Sequence, residues 1–432
     1  VSDELSGWLA QTALPLNGLS AGASTADLQP LKDVLDGVRI VGLGEATHGT
    51  REFFQLKHRL LEFLVTELGF SALVMEASAS AGPAVDDYVR QGVGEAAQVL
   101  EGLGFWTWRT YEVLAVIEWM RDYNRGRREE QKVRFIGIDP QRCGSSLAAV
   151  GAFLRKTAPD RVDGLLGALG TLATAYPGSS PDPQRRLVHQ AEELLEYLRR
   201  HAPDAADVLR HARLLVRAAD LVTRARQHED PEQTVYAVRD RYMADAVEAV
   251  VADPTAKVVL WAHNGHIGKS RYGNAVPALG HHLHARYGDA YYALGLLFGS
   301  GSFRARRMWP GPWTRPRAGA AVANRIGPAR PGTVEAQLAA ANPGDHLVDL
   351  RGAAEAPVAV REWLGARHGT RSFGAMVPRW TYRFNLGVST PAEEYDGLAY
   401  IAVSSASRPL VVRAGVVIGA SGRPCGGPGR GL

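Results

Sequence analysis

The chain has 432 residues, 46% of them hydrophobic and 22% charged, which excludes collagen-like, coiled-coil and wholly disordered architectures and leaves room for a large buried core. The formal charge is +4, yet its six Lys and 43 Arg never form a block of five, and pairs such as Arg127/Arg128 and Arg306/Arg307 stand apart, which argues against a nucleic-acid surface. Two distant cysteines, Cys143 and Cys425, give neither a disulfide framework nor a thiolate metal site, and no apolar run approaches the roughly 20 residues of a spanning helix. The expectation is a cytoplasmic protein with no membrane partner; oligomeric state is not legible.

In chain order, short β-branched runs bounded by turn residues come first, at 38–45, 71–77 and 133–139, with helical patterns between them. This alternation predicts β-α-β units and a parallel sheet. From 144 to 251 the strand signal stops and apolar residues recur at helical spacing, for example Leu187, Ala191, Leu194 and Leu198. Strand runs resume at 256–264, 291–301, 346–351 and 397–404. The expected organisation is therefore a discontinuous α/β core of 1–143 and 252–413 with a helical insertion at 144–251. The Gly-, Pro- and Arg-rich stretches 309–332 and 414–432 read as a long loop and a disordered tail.

A parallel sheet binds ligands beyond the carboxyl ends of its strands, where loops diverge and helices begin. Ionisable residues stand at four such ends: Glu45 and His48 after the first strand, Glu76 after the second, Asp139 after the third, and His263 and His266 after the fourth. Four coincidences at one sheet edge are far less expected than one. Glu45 and His48 are three apart on a Gly-flanked loop, a spacing at which a carboxylate orients an imidazole. Together these groups suit general acid–base catalysis on a carbonyl or hydroxyl substrate.

Lys57 falls on the apolar stripe of the helix 50–68, between Phe53 and Leu61, so it either snorkels or is held inward by an acid such as Glu76 or Asp139. Arg59 lies off that stripe and is a weaker candidate for the cleft. The segment Phe105 to Glu112 concentrates Trp106, Trp108 and Arg109, candidates with Asn264 and Asp139 for contacting substrate. The Glu-x-x-His and His-x-x-His pairs lack a third ligand at fixed spacing, so no metal and no cofactor is expected. No G-x-S-x-G elbow or phosphate loop occurs, which leaves histidine-activated water as the simplest nucleophile.

At these residues the sequence resembles the erythromycin esterase family. The likeness is carried by GLGEATHGTREFFQLKHRLLEFLVTELGF (42–70), the strand ending in Glu76, WTWRTYEVLAVIEWMRDYN, GID-PQ at 137–141, RDRYMAD (239–245) and WAHNGHIG (261–268). The resemblance implies a mixed, mostly parallel sheet flanked by helices and a metal-independent hydrolase in which histidine activates water against an ester or lactone of a natural-product-like small molecule. It makes His48 the family's motif histidine, Glu45 its acidic partner, Glu76 the acid after the second strand, and His263 and His266 the second histidine pair. Lys57 occupies a position that is arginine in some members. Either His48 or His266 is the general base, the other imidazole and Lys57 stabilising negative charge. Two alternatives stay open: a cyclase or lyase using the same histidines, and a haem- or iron-binding protein of a related fold.

Overall fold

The computed structural model describes residues 3–273, 275–309, 318–413 and 416–417. Its centre is a ten-stranded sheet built from β1 (Ala13–Pro15), β2 (Ile40–Leu43), β3 (Ala72–Ser78), β4 (Arg134–Asp139), β5 (Val258–Trp261), β6 (Tyr291–Met308), β7 (Ala318–Ile326), β8 (His346–Asp349), β9 (Met376–Pro378) and β10 (Gly397–Ser404). The order across the sheet is β1-β8-β10-β6-β2-β5-β3-β4, with β7 and β9 also pairing on the long β6. Pairings from β10 through β4 are parallel, while β1, β8 and β7 join antiparallel, so the sheet is mixed and mostly parallel.

Strands β2, β3 and β5 are buried along their whole length, as continuous apolar runs must be when helices cover both faces. Register makes their carboxyl ends level: Leu43 and Met75 both stand opposite Trp261. Between Met75 and Ser78 the β3–β4 ladder slips by a residue, and Glu76 sits in that bulge, where a bend re-aims its side chain.

Helix α1 (Arg51–Leu68) starts directly after the first loop and ends at Gly69, whose φ of 72° closes it in the left-handed conformation. Between 144 and 251 the chain is helical, with α2 (Gly144–Thr157), α3 (Arg186–His201) and α4 (Ala206–Thr223) sharing an apolar cluster of their own around Val150, Leu154, Leu194, Leu198 and Leu215. The last helix of that stretch, α5 (Val235–Val251), instead packs Met243, Ala244 and Val247 into the core of the sheet. This placement carries its charged residues to the sheet's carboxyl edge.

The stretch 309–332 is not the continuous loop its composition suggests, because 318–326 forms β7 against residues 301–308 of β6. Gly and Ala are weak strand formers, but the long β6 offers an unpaired edge that satisfies their backbone groups. Buried Asn324 ties the two strands by accepting from Arg307 Nε at 2.7 Å. Residues 310–317 lie outside the described residues, as does the expected tail 414–432 apart from 416–417.

Candidate active site

The loop Gly44 to Thr50 carries the first group of side chains, and its two glycines are there because backbone and side chain approach too closely for anything else. A Cβ on Gly44 would sit 2.0 Å from Asn264 Oδ1, and one on Gly49 would sit 1.9 Å from the Arg304 carbonyl oxygen. Glu45 is wholly buried and divides its two oxygens: Oε1 is 2.7 Å from His48 Nδ1, and Oε2 takes Lys57 Nζ at 2.6 Å and Trp261 Nε1 at 3.2 Å. Burial pushes the Glu45 carboxyl up, but the Lys57 charge and the His48 contact outweigh it and hold it below the ordinary range. For Lys57, burial lowers the ammonium and Glu45 raises it, leaving it at about 8.

With Nδ1 of His48 on an ionised carboxylate, that nitrogen carries the proton and Nε2 keeps its lone pair. The side chain is 12% exposed, and Nε2 makes no hydrogen bond among the described residues. The ring is walled by the edge of Trp108 at 5.7 Å and by the His263 ring at 5.0 Å between centroids. Trp108 is itself buried, its Nε1 donating to the Glu76 carbonyl at 3.0 Å.

His263 is fixed in one tautomer. Its Nδ1 accepts from the Gly265 N–H at 3.1 Å, so Nε2 bears the hydrogen and donates to the Phe373 carbonyl at 3.2 Å. Burial first, and then the neighbouring imidazoles, lower its pKa to about 4, which keeps it neutral.

A second group lies one strand over. Arg239 of α5 reaches Glu76 Oε1 at 2.7 Å and Asp139 Oδ2 at 2.8 Å, and His266 stands between Asp240 Oδ1, 2.7 Å from Nδ1, and Glu76 Oε1, 3.3 Å from Nε2. Burial and the Arg239 guanidinium, 3.0 Å from Nε2, oppose protonation of His266, but the two carboxylates prevail and raise its pKa to about 10. The two groups meet at Glu76, whose Oε2 accepts from the backbone N–H of His263 at 3.0 Å; His266 and Arg239 hold that carboxyl well below the usual range despite its burial.

The sequence profile of the erythromycin esterase family matches residues 65–404, well over half of the chain. The chain belongs to the erythromycin esterase family. The match begins beyond Glu45, His48 and Lys57, whose grouping therefore rests on the geometry described above. Among curated relatives, erythromycin esterase type II of Escherichia coli is 26% identical over 326 residues, 68% of this chain and 77% of that one. Among solved structures, a succinoglycan biosynthesis protein superposes with a TM-score of 0.77 at 24% identity, covering 94% of this chain and 98% of that one. An erythromycin esterase mutant in its open conformation gives 0.65 at 21% identity, covering 90% and 96%. At such identities these two likenesses show the fold.

Placed on this family's fold, Glu45, His48, Lys57, His263 and Trp108 form one group and Glu76, Asp139 and His266 the other. The acid that holds Lys57 is Glu45, not Glu76 or Asp139, because the side chain two turns into α1 points back at the loop from which the helix springs. Three expected substrate contacts are occupied elsewhere. Arg59 is 1% exposed and grips Asp27 and the Gly18 carbonyl, since residues 18–27 fold over that side of α1. Asn264 is buried and braces β6, exchanging hydrogen bonds with the Leu296 N–H and C=O at 3.2 and 3.0 Å. Asp139 is held by Arg239 and by Gln141. Arg109 pairs with Glu101 at 3.2 Å on a partly exposed surface, and Trp106 is half-buried beneath Arg304.

Arg239 and Asp240 are the site residues that strand-end reasoning misses. A signal was available: Asp240 is flanked at helical spacing by Ala237, Ala244 and Val247, a charge on an apolar face like that of Lys57.

Proposed function

We propose that the chain hydrolyses an ester or lactone of a natural-product-like small molecule with water activated by His48. The family's membership supports a hydrolase. The observation that carries the mechanism is the contact of His48 Nδ1 with Glu45 Oε1 at 2.7 Å, with Nε2 making no hydrogen bond among the described residues. Glu45 fixes the tautomer, so Nε2 takes a proton from water as the oxygen attacks the carbonyl carbon. The tetrahedral intermediate then collapses, the C–O bond to the leaving alcohol breaks, and the imidazolium of His48 returns the proton to that oxygen, giving acid plus alcohol. His266 lies between the Asp240 and Glu76 carboxylates, which raise its pKa to about 10, and this supports assigning it, with Arg239, to holding positive charge rather than to the base. His263 is a neutral wall that keeps the His48 ring in place. Lys57 acts through Glu45, holding it ionised, rather than on the substrate.

The test compares His48→Asn and His266→Gln with the unaltered chain on a panel of simple esters and macrolides, with circular dichroism as the control for folding. His48→Asn loses at least about 1,000-fold in kcat, whereas loss only in His266→Gln would overturn the assignment of the base. A product heavier by one water marks hydrolysis; a product formed without water uptake marks cyclisation or elimination instead.

A further inference from the structure

Beside the His48 loop, the guanidinium of Arg304 has no ion-pair partner among the described residues. Strand β6 meets the motif loop at Gly49, whose carbonyl accepts from the Arg304 N–H at 2.9 Å. Phe303 and Ala305 on either side are fully buried, so the Arg304 side chain leaves the sheet on the opposite side. Its guanidinium lies over the ring of Trp106, 5.0 Å from the centroid, and Trp106 is two residues from the Trp108 that flanks His48. Among the described residues the guanidinium makes no hydrogen bond and no ion pair, and Nη1 is buried without a partner.

A buried guanidinium nitrogen that lacks an acceptor is costly, and native structures seldom keep one without a reason. Glu112, the carboxylate whose charge acts on Arg304, is already engaged by Arg408 Nε at 2.7 Å. Burial, with Arg109 and Arg306 adding positive charge around Arg304, outweighs the opposing Glu112 carboxylate and lowers the guanidinium's pKa. Trp106 supplies a flat surface against which the planar guanidinium packs, and an arginine fork with no acceptor of its own is the group that takes both oxygens of a carboxylate or phosphate.

We propose that Arg304, seated on Trp106 beside the His48 loop, anchors an oxyanion, a carboxylate or a phosphate, carried by the substrate. The inference rests on the hydrolytic reading above and narrows it to anionic esters or lactones.

The test measures kcat/KM for mono-para-nitrophenyl glutarate and for the neutral para-nitrophenyl butyrate with the full chain, Arg304→Gln, Arg304→Lys and Arg306→Gln. The unaltered chain prefers the glutarate ester by about tenfold or more, through KM, the scale of one charged hydrogen-bonded pair. Arg304→Gln brings the ratio towards one, Arg304→Lys keeps part of it, and Arg306→Gln, which removes the same charge from an exposed side chain, keeps it whole. No preference in the unaltered chain, a preference that survives Arg304→Gln, or equal losses in Arg304→Gln and Arg306→Gln would each overturn the proposal. If neither ester turns over, the hydrolytic reading is what has failed on this pair, and the anchor is read separately from thermal midpoints with glutarate and with inorganic phosphate. A rise that Arg304→Gln abolishes supports the anchor, and the anion giving the larger rise identifies its chemistry; no rise, or the same rise in both proteins, overturns it.

Discussion

Lys57 Nζ lies 2.6 Å from the Glu45 oxygen that His48 does not use, with both partners wholly buried. Removing one member of such a pair leaves an uncompensated buried charge, so Glu45→Gln lowers stability by about 3–5 kcal/mol in urea denaturation. The double variant Glu45→Gln/Lys57→Met recovers most of that loss, because both charges leave together. Activity separates the two roles. Glu45→Gln costs about 100- to 10,000-fold in kcat by releasing the His48 tautomer, and the double variant stays equally slow. Recovery of turnover in the double variant would show that Glu45 acts only as the counter-charge of Lys57.

Arg239 joins three elements, since it contacts Glu76 on β3, Asp139 at the end of β4 and His266 after β5. Arg239→Lys keeps the charge and loses the planar fork, so it cannot reach all three at once. A fall of about 1–3 kcal/mol in stability and at least about a tenfold fall in kcat are expected. Unchanged kinetics in a destabilised Arg239→Lys would confine this arginine to structure.

His266 binds its proton more tightly in the folded chain, at about 10, than at its ordinary 6.5. The sign follows from linkage: a raised pKa gives stability that is complete below about pH 6.5, falls as the pH climbs and is gone above about 10. Asp240→Asn removes the carboxylate 2.7 Å from Nδ1 and therefore flattens the decline of the melting temperature across that window. Identical slopes in the two proteins would mean that His266 is neutral in the folded state.

Asn264 offers a control on the boundary between site and scaffold. Asn264→Ala deletes both hydrogen bonds to Leu296 and is expected to cost about 2–4 kcal/mol, leaving KM for any ester substrate unchanged. A several-fold rise in KM at constant stability would restore it to the substrate.

How far the sequence reaches depends on where each partner lies along the chain. The strands and their order of charged ends were legible because fully buried strands are continuous apolar runs and because Glu45 and His48 are neighbours on one loop. Lys57 was legible as a conflict on an apolar stripe, but its acid was not, since only the fold shows which strand end the second turn of α1 faces. Arg239 lies 163 residues from Glu76 and in a helix rather than at a strand end, so no local pattern joins them. The partners of Asn264 and Arg59 were not legible for the same reason: Leu296 and Asp27 lie on segments that no motif connects to them. The small-residue strand β7 was hidden because its stability comes from the edge of β6 rather than from its own composition.

The most direct test of the central claim is the oxygen-18 content of the acid released when an ester substrate is turned over in oxygen-18 water, by the unaltered chain and by His48→Asn. The account predicts one heavy oxygen in the acid from the unaltered chain and at least about a 1,000-fold slower release from His48→Asn. An acid without the label, or His48→Asn turning over within about tenfold of the unaltered chain, would contradict it.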